Sequence, residues 1–139
     1  MRLQITTDYA IRVILFMAQQ NGEVFAAEAT AKKLGMTYSY FNKVASKIRM
    51  AGFLKSVQGP GGGYRIAKNP ADITLYDIIQ VMEGDISINR CLDEDSFCSR
   101  NATQTCPVHK TLEALQNQMI DMLRSVRISD LCDENSAVQ

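Results

Sequence analysis

The stretch Ser39–Lys68, SYFNKVASKIRMAGFLKSVQGPGGGYRIAK, decides the fold. Phe41, Val44, Ala45 and Ile48 stand at i, i+3, i+4 and i+7, a spacing that puts four apolar side chains on one face of a helix from about Ser39 to Met50. The opposite stripe, Ser39, Asn42, Lys43, Ser46 and Lys47, can form hydrogen bonds along its whole length. Gly52 closes this helix. Two β-like runs follow, Lys55–Gln58 and Tyr64–Ala67, around Gly59-Pro60-Gly61-Gly62-Gly63. That is a hairpin whose tip only glycine-rich backbone can trace.

Upstream, Tyr9 to Met17 reads as a mostly buried helix, with Thr6 or Thr7 as its N-cap and Gly22 as its end. Ala27 to Leu34 reads as a second helix, broken at Gly35-Met36. Ala31 is small where two helices cross, and Gly35, four residues on, can take the positive φ of a tight interhelical turn. Helix, helix, glycine turn, helix and hairpin in that order predict a winged helix-turn-helix, mainly α with a small β-hairpin wing. In such a fold the third helix lies in the major groove of DNA, with Ser39, Tyr40, Asn42 and Lys43 near its base-reading end and Lys47 further along. Gly61 and Gly62 let the wing approach the duplex closely, and Lys55, Arg65 and Lys68 flank it as phosphate contacts. A nucleotide-binding loop is disfavoured. GPGGG sits between two β-like runs rather than before a helix, and no Lys-Ser/Thr follows it.

Downstream, Thr74 and Asp77 form a capping box for a fourth helix with Leu75, Ile78, Ile79 and Met82 as its apolar stripe. Periodicity then disappears until Thr105. A long helix begins at Pro107, with Val108, Leu112, Leu115, Met119, Met122 and Val126 spaced alternately by four and three. A heptad on a helix after the last compact element favours pairing with a second chain. The expected organisation is a DNA-binding domain over 1–83, a cysteine loop over 84–106, a dimerisation helix over 107–127, and a tail over 128–139 that is disordered from Asp133.

With 139 residues and 46% hydrophobic side chains, the chain has enough for one domain with a buried core. Its zero net charge hides an asymmetry. Residues 1–70 hold ten Lys/Arg against three acids, a net of +7, and residues 71–139 hold five against twelve, a net of −7. The basic half is suited to a polyanion. The opening has no signal-peptide layout and no run long enough to span a membrane, so a cytoplasmic protein with reduced thiols is expected. Cys91, Cys98 and Cys106 lie six and seven residues apart in the non-periodic stretch, and His109, the only histidine, follows closely. Three soft donors suit an iron–sulfur cluster or zinc, and from the residues alone metal-free thiols stand beside them. No nucleophile–base–orienter set is visible, so an enzyme is not expected. A small iron–sulfur electron carrier is the rival from another class.

The segments LQITTDYAIRVILFMA (3–18) and Ser39–Lys68, with three cysteines ahead of a long helix, resemble the Rrf-two family of bacterial regulators over roughly residues 1–131. The resemblance implies a homodimer that binds a two-fold operator on double-stranded DNA and senses iron–sulfur status, redox or nitric oxide through a cluster on the cysteine triad. Some members are repressors. In members with a 2Fe–2S cluster a histidine shortly after the last cysteine can serve as a ligand, a position His109 matches. Some members with a 4Fe–4S cluster use an N-terminal aspartate of the other subunit, which Asp8 matches. Gln58 stands where many relatives carry a basic residue before the wing glycines.

Overall fold

Phe41, Val44, Ala45 and Ile48, the stripe of the third helix, are all buried, and Phe41, Ala45 and Ile48 are completely so. Removing such a ring, as in Phe41→Ala, costs about 3–5 kcal/mol in a packed core, so this stripe anchors the fold. The computed structural model describes residues 1–138, with side chains through Asp133. Helices α1 (Ile5–Ala18), α2 (Ala27–Lys33) and α3 (Tyr38–Met50) lead into strands β1 (Leu54–Val57) and β2 (Gly63–Ile66). Then come α4 (Leu75–Glu83), α5 (Pro107–Ser125) and α6 (Ile128–Val138), with short 3-10 turns at Pro70–Asp72 and Arg90–Leu92. The core joins Val13, Ile14 and Met17 of α1 to the α3 stripe, to Ile78 and Met82 of α4, and to Phe53, Leu54 and Ile73.

The turn between α2 and α3 runs through Gly35 at φ 73, and Ala31 is 1% exposed. Thr37 caps α3, its hydroxyl accepting the Tyr40 N–H at 3.2 Å. The capping box of α4 is present: the Asp77 N–H donates to Thr74 Oγ1 and the Thr74 N–H to the Asp77 carboxylate. β1 and β2 pair antiparallel with Leu54 opposite Ile66 and Lys55 opposite Arg65. The strands begin one residue earlier than the sequence suggests, because Leu54 is drawn into the core.

Two expectations are corrected. Thr6 and Thr7 do not cap α1, which starts at Ile5 after Gln4 and has no side-chain cap. Thr7 is fully buried because it shares the inward stripe of Ala10, Ile14 and Met17, which pulls the first turn into the helix. The tail expected over 128–139, disordered from Asp133, is helical from Ile128 to Val138, and Gln139 lies outside the described residues. Ile128 is completely buried, its N–H donates to the Ile73 carbonyl at 2.8 Å, and the Leu75 N–H donates to the Val126 carbonyl at 3.0 Å. Asp130 accepts the Arg127 N–H at 3.1 Å. α6 therefore returns to pack on α1. None of the residues of α5 is buried. Val108, Leu115 and Met122 are 61%, 49% and 70% exposed, whereas Leu112, Met119 and Val126 are half-buried, so α5 rests partly on α4 and alternate members of its apolar stripe face outward. No helix among the described residues is long and apolar enough to cross a membrane.

Candidate DNA interface and thiol site

The inward side of α3 is fixed by its core residues, which leaves the polar stripe facing outward. Ser39 and Lys43 are exposed, and Tyr40 and Asn42 are half-buried. Tyr40 is steadied by an edge-on contact with Tyr9 of α1, with ring centroids 5.2 Å apart. Lys47 is exposed but already engaged: its Nζ donates to the Met82 carbonyl at the end of α4, at 3.2 Å. On the hairpin, Lys55 faces Arg65 directly across the ladder. Like charges in that position destabilise a bare hairpin and are relieved by an anion. Gly61 is exposed at the tip. Gly62 is packed so tightly that a Cβ there would collide with the carbonyl oxygens of Val57 and Gly59. Lys68 lies over the Phe53 ring at 5.8 Å. Ser39, Tyr40, Asn42, Lys43, the wing glycines and the Lys55–Arg65 pair thus stand on two neighbouring elements, and Lys47 is tied to a third.

The loop from Gly84 to Thr105 brings Cys91, Cys98 and Cys106 to one hollow of about 260 Å³, which His109, Asn89, Arg90, Phe97 and Val108 also line. These three thiols are free. Cys106 is the N-cap of α5, and its sulfur accepts the His109 N–H at 3.5 Å. Proline at the first helical position leaves no N–H to compete there. His109 Nδ1 lies 3.1 Å from Cys91 Sγ, and Asn89 Nδ2 donates to the same sulfur at 3.3 Å. Backbone N–H groups of Ala102 and Arg100 hold the Cys98 thiol below the ordinary range, and the Arg100 charge adds to this.

Arg90 closes the loop. It pairs with Asp93 and, through both nitrogens, with Asp95, and its guanidinium stacks 5.0 Å from the Phe97 ring. The Arg90 hydrogen bond lowers the Asp95 carboxyl to about 2. Asn89, Arg90 and Phe97 escaped the sequence reading, since a loop without periodicity gives no signal for which side chains turn inward.

Asp8 does not line this hollow. It stands on the first turn of α1, half exposed, with its carboxylate 2.7 Å from Arg12. The donor set of three thiols and an imidazole around one hollow suits an iron–sulfur cluster or zinc. As the side chains stand, no three His, Cys, Asp or Glu among the described residues close into a coordination shell. Cys91 is turned toward His109 and Cys106 back onto α5, so side-chain rotation must precede ligation.

Known proteins extend this picture. A regulator of the helix-turn-helix type from Aquifex aeolicus is 31% identical over 126 residues, covering 91% of this chain and 88% of its own. The regulator IscR of Pectobacterium atrosepticum is 28% identical, covering 99% and 83%. The solved structure of T. potens IscR superposes with a TM-score of 0.76 at 25% identity, covering all of this chain and 91% of its own. The family described as iron-dependent transcriptional regulators matches residues 3–134. With the winged helix already in hand, these matches establish that the chain belongs to the Rrf2 family of DNA-binding transcriptional regulators.

Proposed function

We propose that the chain acts as a cytoplasmic homodimer whose binding to a two-fold DNA operator responds to an iron–sulfur cluster on Cys91, Cys98 and Cys106. One observation carries the reading: the three thiols and the only histidine line one hollow at the start of α5, a helix that leaves Val108, Leu115 and Met122 of its apolar stripe exposed. A second copy of α5 is the occupant that a heptad stripe fits. Pairing there places two α3 helices at a fixed spacing, as half-sites one helical turn apart require.

In this reading α3 enters the major groove, with Tyr40 and Asn42 at base edges and Ser39 and Lys43 beside them. Gly61 and Gly62 bring the wing backbone close to the duplex, and Lys55 and Arg65 share a phosphate. When bound, the cluster supplies a redox- and ligand-sensitive link across the three cysteines. The protein holds it with the thiolates and one further ligand. His109 is that ligand in a 2Fe–2S arrangement, and Asp8 of the second subunit in a 4Fe–4S arrangement. His109 has the nearer geometry within one chain, at 3.1 Å from Cys91 Sγ. Arg90 and Asn89 order the loop so that Cys91 and Cys98 face the same hollow.

The test is the ultraviolet–visible spectrum of anaerobically purified protein, with iron and sulfide counted per chain. A visible chromophore with matching iron and sulfide, lost in each Cys→Ala variant while helical content stays, is the expected result. Stoichiometric zinc and no chromophore after reconstitution would assign a zinc-containing regulator. Colourless, zinc-free protein would assign a metal-free thiol regulator.

A further inference from the structure

Lys47 belongs by spacing to the polar stripe of α3, but its ammonium is committed elsewhere. Its Nζ donates to the Met82 carbonyl at 3.2 Å, an interaction spanning 35 positions of sequence. That carbonyl is in the last turn of α4, where carbonyl oxygens lack intrahelical partners. α4 has no basic residue in its own last turn, so the cation that a helix C-terminus favours comes from α3.

The end of α4 is a junction. Gly84, at φ 84, starts the thiol loop. Glu83 Oε1 accepts the Gln4 N–H, just ahead of α1, at 3.2 Å. A hollow of about 510 Å³ opens between Glu83, Gly84, Ile86, the N-terminal residues and Met119 of α5. The Met82 side chain packs into the core, while the polar groups at the end of α4 beside this hollow are held by hydrogen bonds. Lys47 is the tether that reaches α3.

We propose that Lys47 is a positioning residue, a strut that sets α3 against the end of α4, rather than a phosphate contact. The proposal rests on the reading of α3 as the helix that enters DNA. A shift of the thiol loop pulls on Gly84 and the α4 terminus, and the strut transmits it to the recognition helix. Coupling of this kind needs a physical element that both sites bias, and the α4 terminus is bonded to α3 through Lys47 and runs directly into the thiol loop at Gly84. Among the described residues Lys43, four residues earlier on the same stripe, makes no such hydrogen bond, and it serves as the comparison.

The experiment uses full-length protein and a duplex selected from random DNA by the wild type. Lys47→Met keeps the length and removes the donor, and Lys47→Arg restores a cation. Kd is measured across a salt series, before and after alkylation of the loop thiols with iodoacetamide. Amide exchange over residues 83–90 is followed without DNA.

The strut predicts a salt slope in Lys47→Met equal to that of the wild type, whereas Lys43→Ala loses about 0.9 per subunit. Alkylation is expected to change Kd several-fold in the wild type, a response that collapses in Lys47→Met and returns in Lys47→Arg. Exchange over 83–90 rises several-fold in Lys47→Met. A slope loss of about 0.9 per subunit in Lys47→Met, with unchanged exchange, overturns the strut in favour of a phosphate contact. Equal responses to alkylation in wild type and Lys47→Met, or none in either, overturn it as well. If Lys43→Ala leaves binding untouched, the placement of α3 in DNA fails instead, and the exchange measurement still decides whether Lys47 holds α4.

Discussion

His109 and Asp8 are both carboxylate or imidazole donors near an N-terminal helical turn, yet the fold treats them differently. His109 faces Cys91 across the thiol hollow, and Asp8 is paired with Arg12 on α1. If His109 completes the site, His109→Ala loses the chromophore in anaerobic spectra and Asp8→Ala keeps it. The reverse outcome assigns Asp8 of the second subunit. The thiols give a pH prediction. Backbone N–H groups lower Cys98, whereas burial, with help from Asp133, raises Cys132. A lowered thiol is ionised at a lower pH, and the thiolate is the nucleophile. In metal-free protein, mass-spectrometric mapping of iodoacetamide labelling should therefore find Cys98 modified faster than Cys132 at neutral pH, with the gap closing as pH rises. At this scale the sequence was only half legible. The triad and His109 stood out because those residue types are rare. The Lys47–Met82 tie did not, since a backbone carbonyl leaves no mark on composition.

At the scale of elements, regular spacing made the winged helix readable. The α3 stripe, the Gly35 turn and the Thr74–Asp77 capping box each have a local physical cause that a short window contains. α6 was missed because Ile128, Leu131 and Cys132 form only a single apolar turn, and what fixes it is distant: the Ile73 carbonyl and the α1 surface. Two elements carry predictions. Leu115→Asp places a charge in the proposed α5 seam, and sedimentation should show the dimer dissociation constant rising by about a hundredfold or more, about 2.8 kcal/mol. An unchanged dimer places the seam elsewhere. Gly62→Val drives a side chain into the Val57 and Gly59 carbonyls at the wing tip. The wing must deform, so DNA affinity should fall about tenfold in a gel shift, about 1.4 kcal/mol, with the dimer intact.

Across the whole molecule, charge and architecture divide the labour. The first seventy residues carry the +7 excess and the α3 helix and wing proposed to face DNA. The second half holds the acidic thiol loop and α5, with Val108, Leu115 and Met122 exposed. α4 joins them, with its C-terminus tied to α3 on one side and leading into the thiol loop on the other. Charge asymmetry marks two halves in the sequence, but the joint leaves no such mark, because it is made of tertiary contacts. The central claim is that the state of the thiol site governs DNA binding. The most direct test is Kd for the selected duplex, measured anaerobically at one salt concentration, for cluster-loaded and metal-free wild type and for the Cys91→Ala, Cys98→Ala and Cys106→Ala variants. The account predicts that loaded and metal-free wild type differ several-fold in affinity or select different sequences, and that each variant behaves as metal-free protein whether or not iron and sulfide are supplied. Identical affinities and preferences for loaded and metal-free wild type would contradict it.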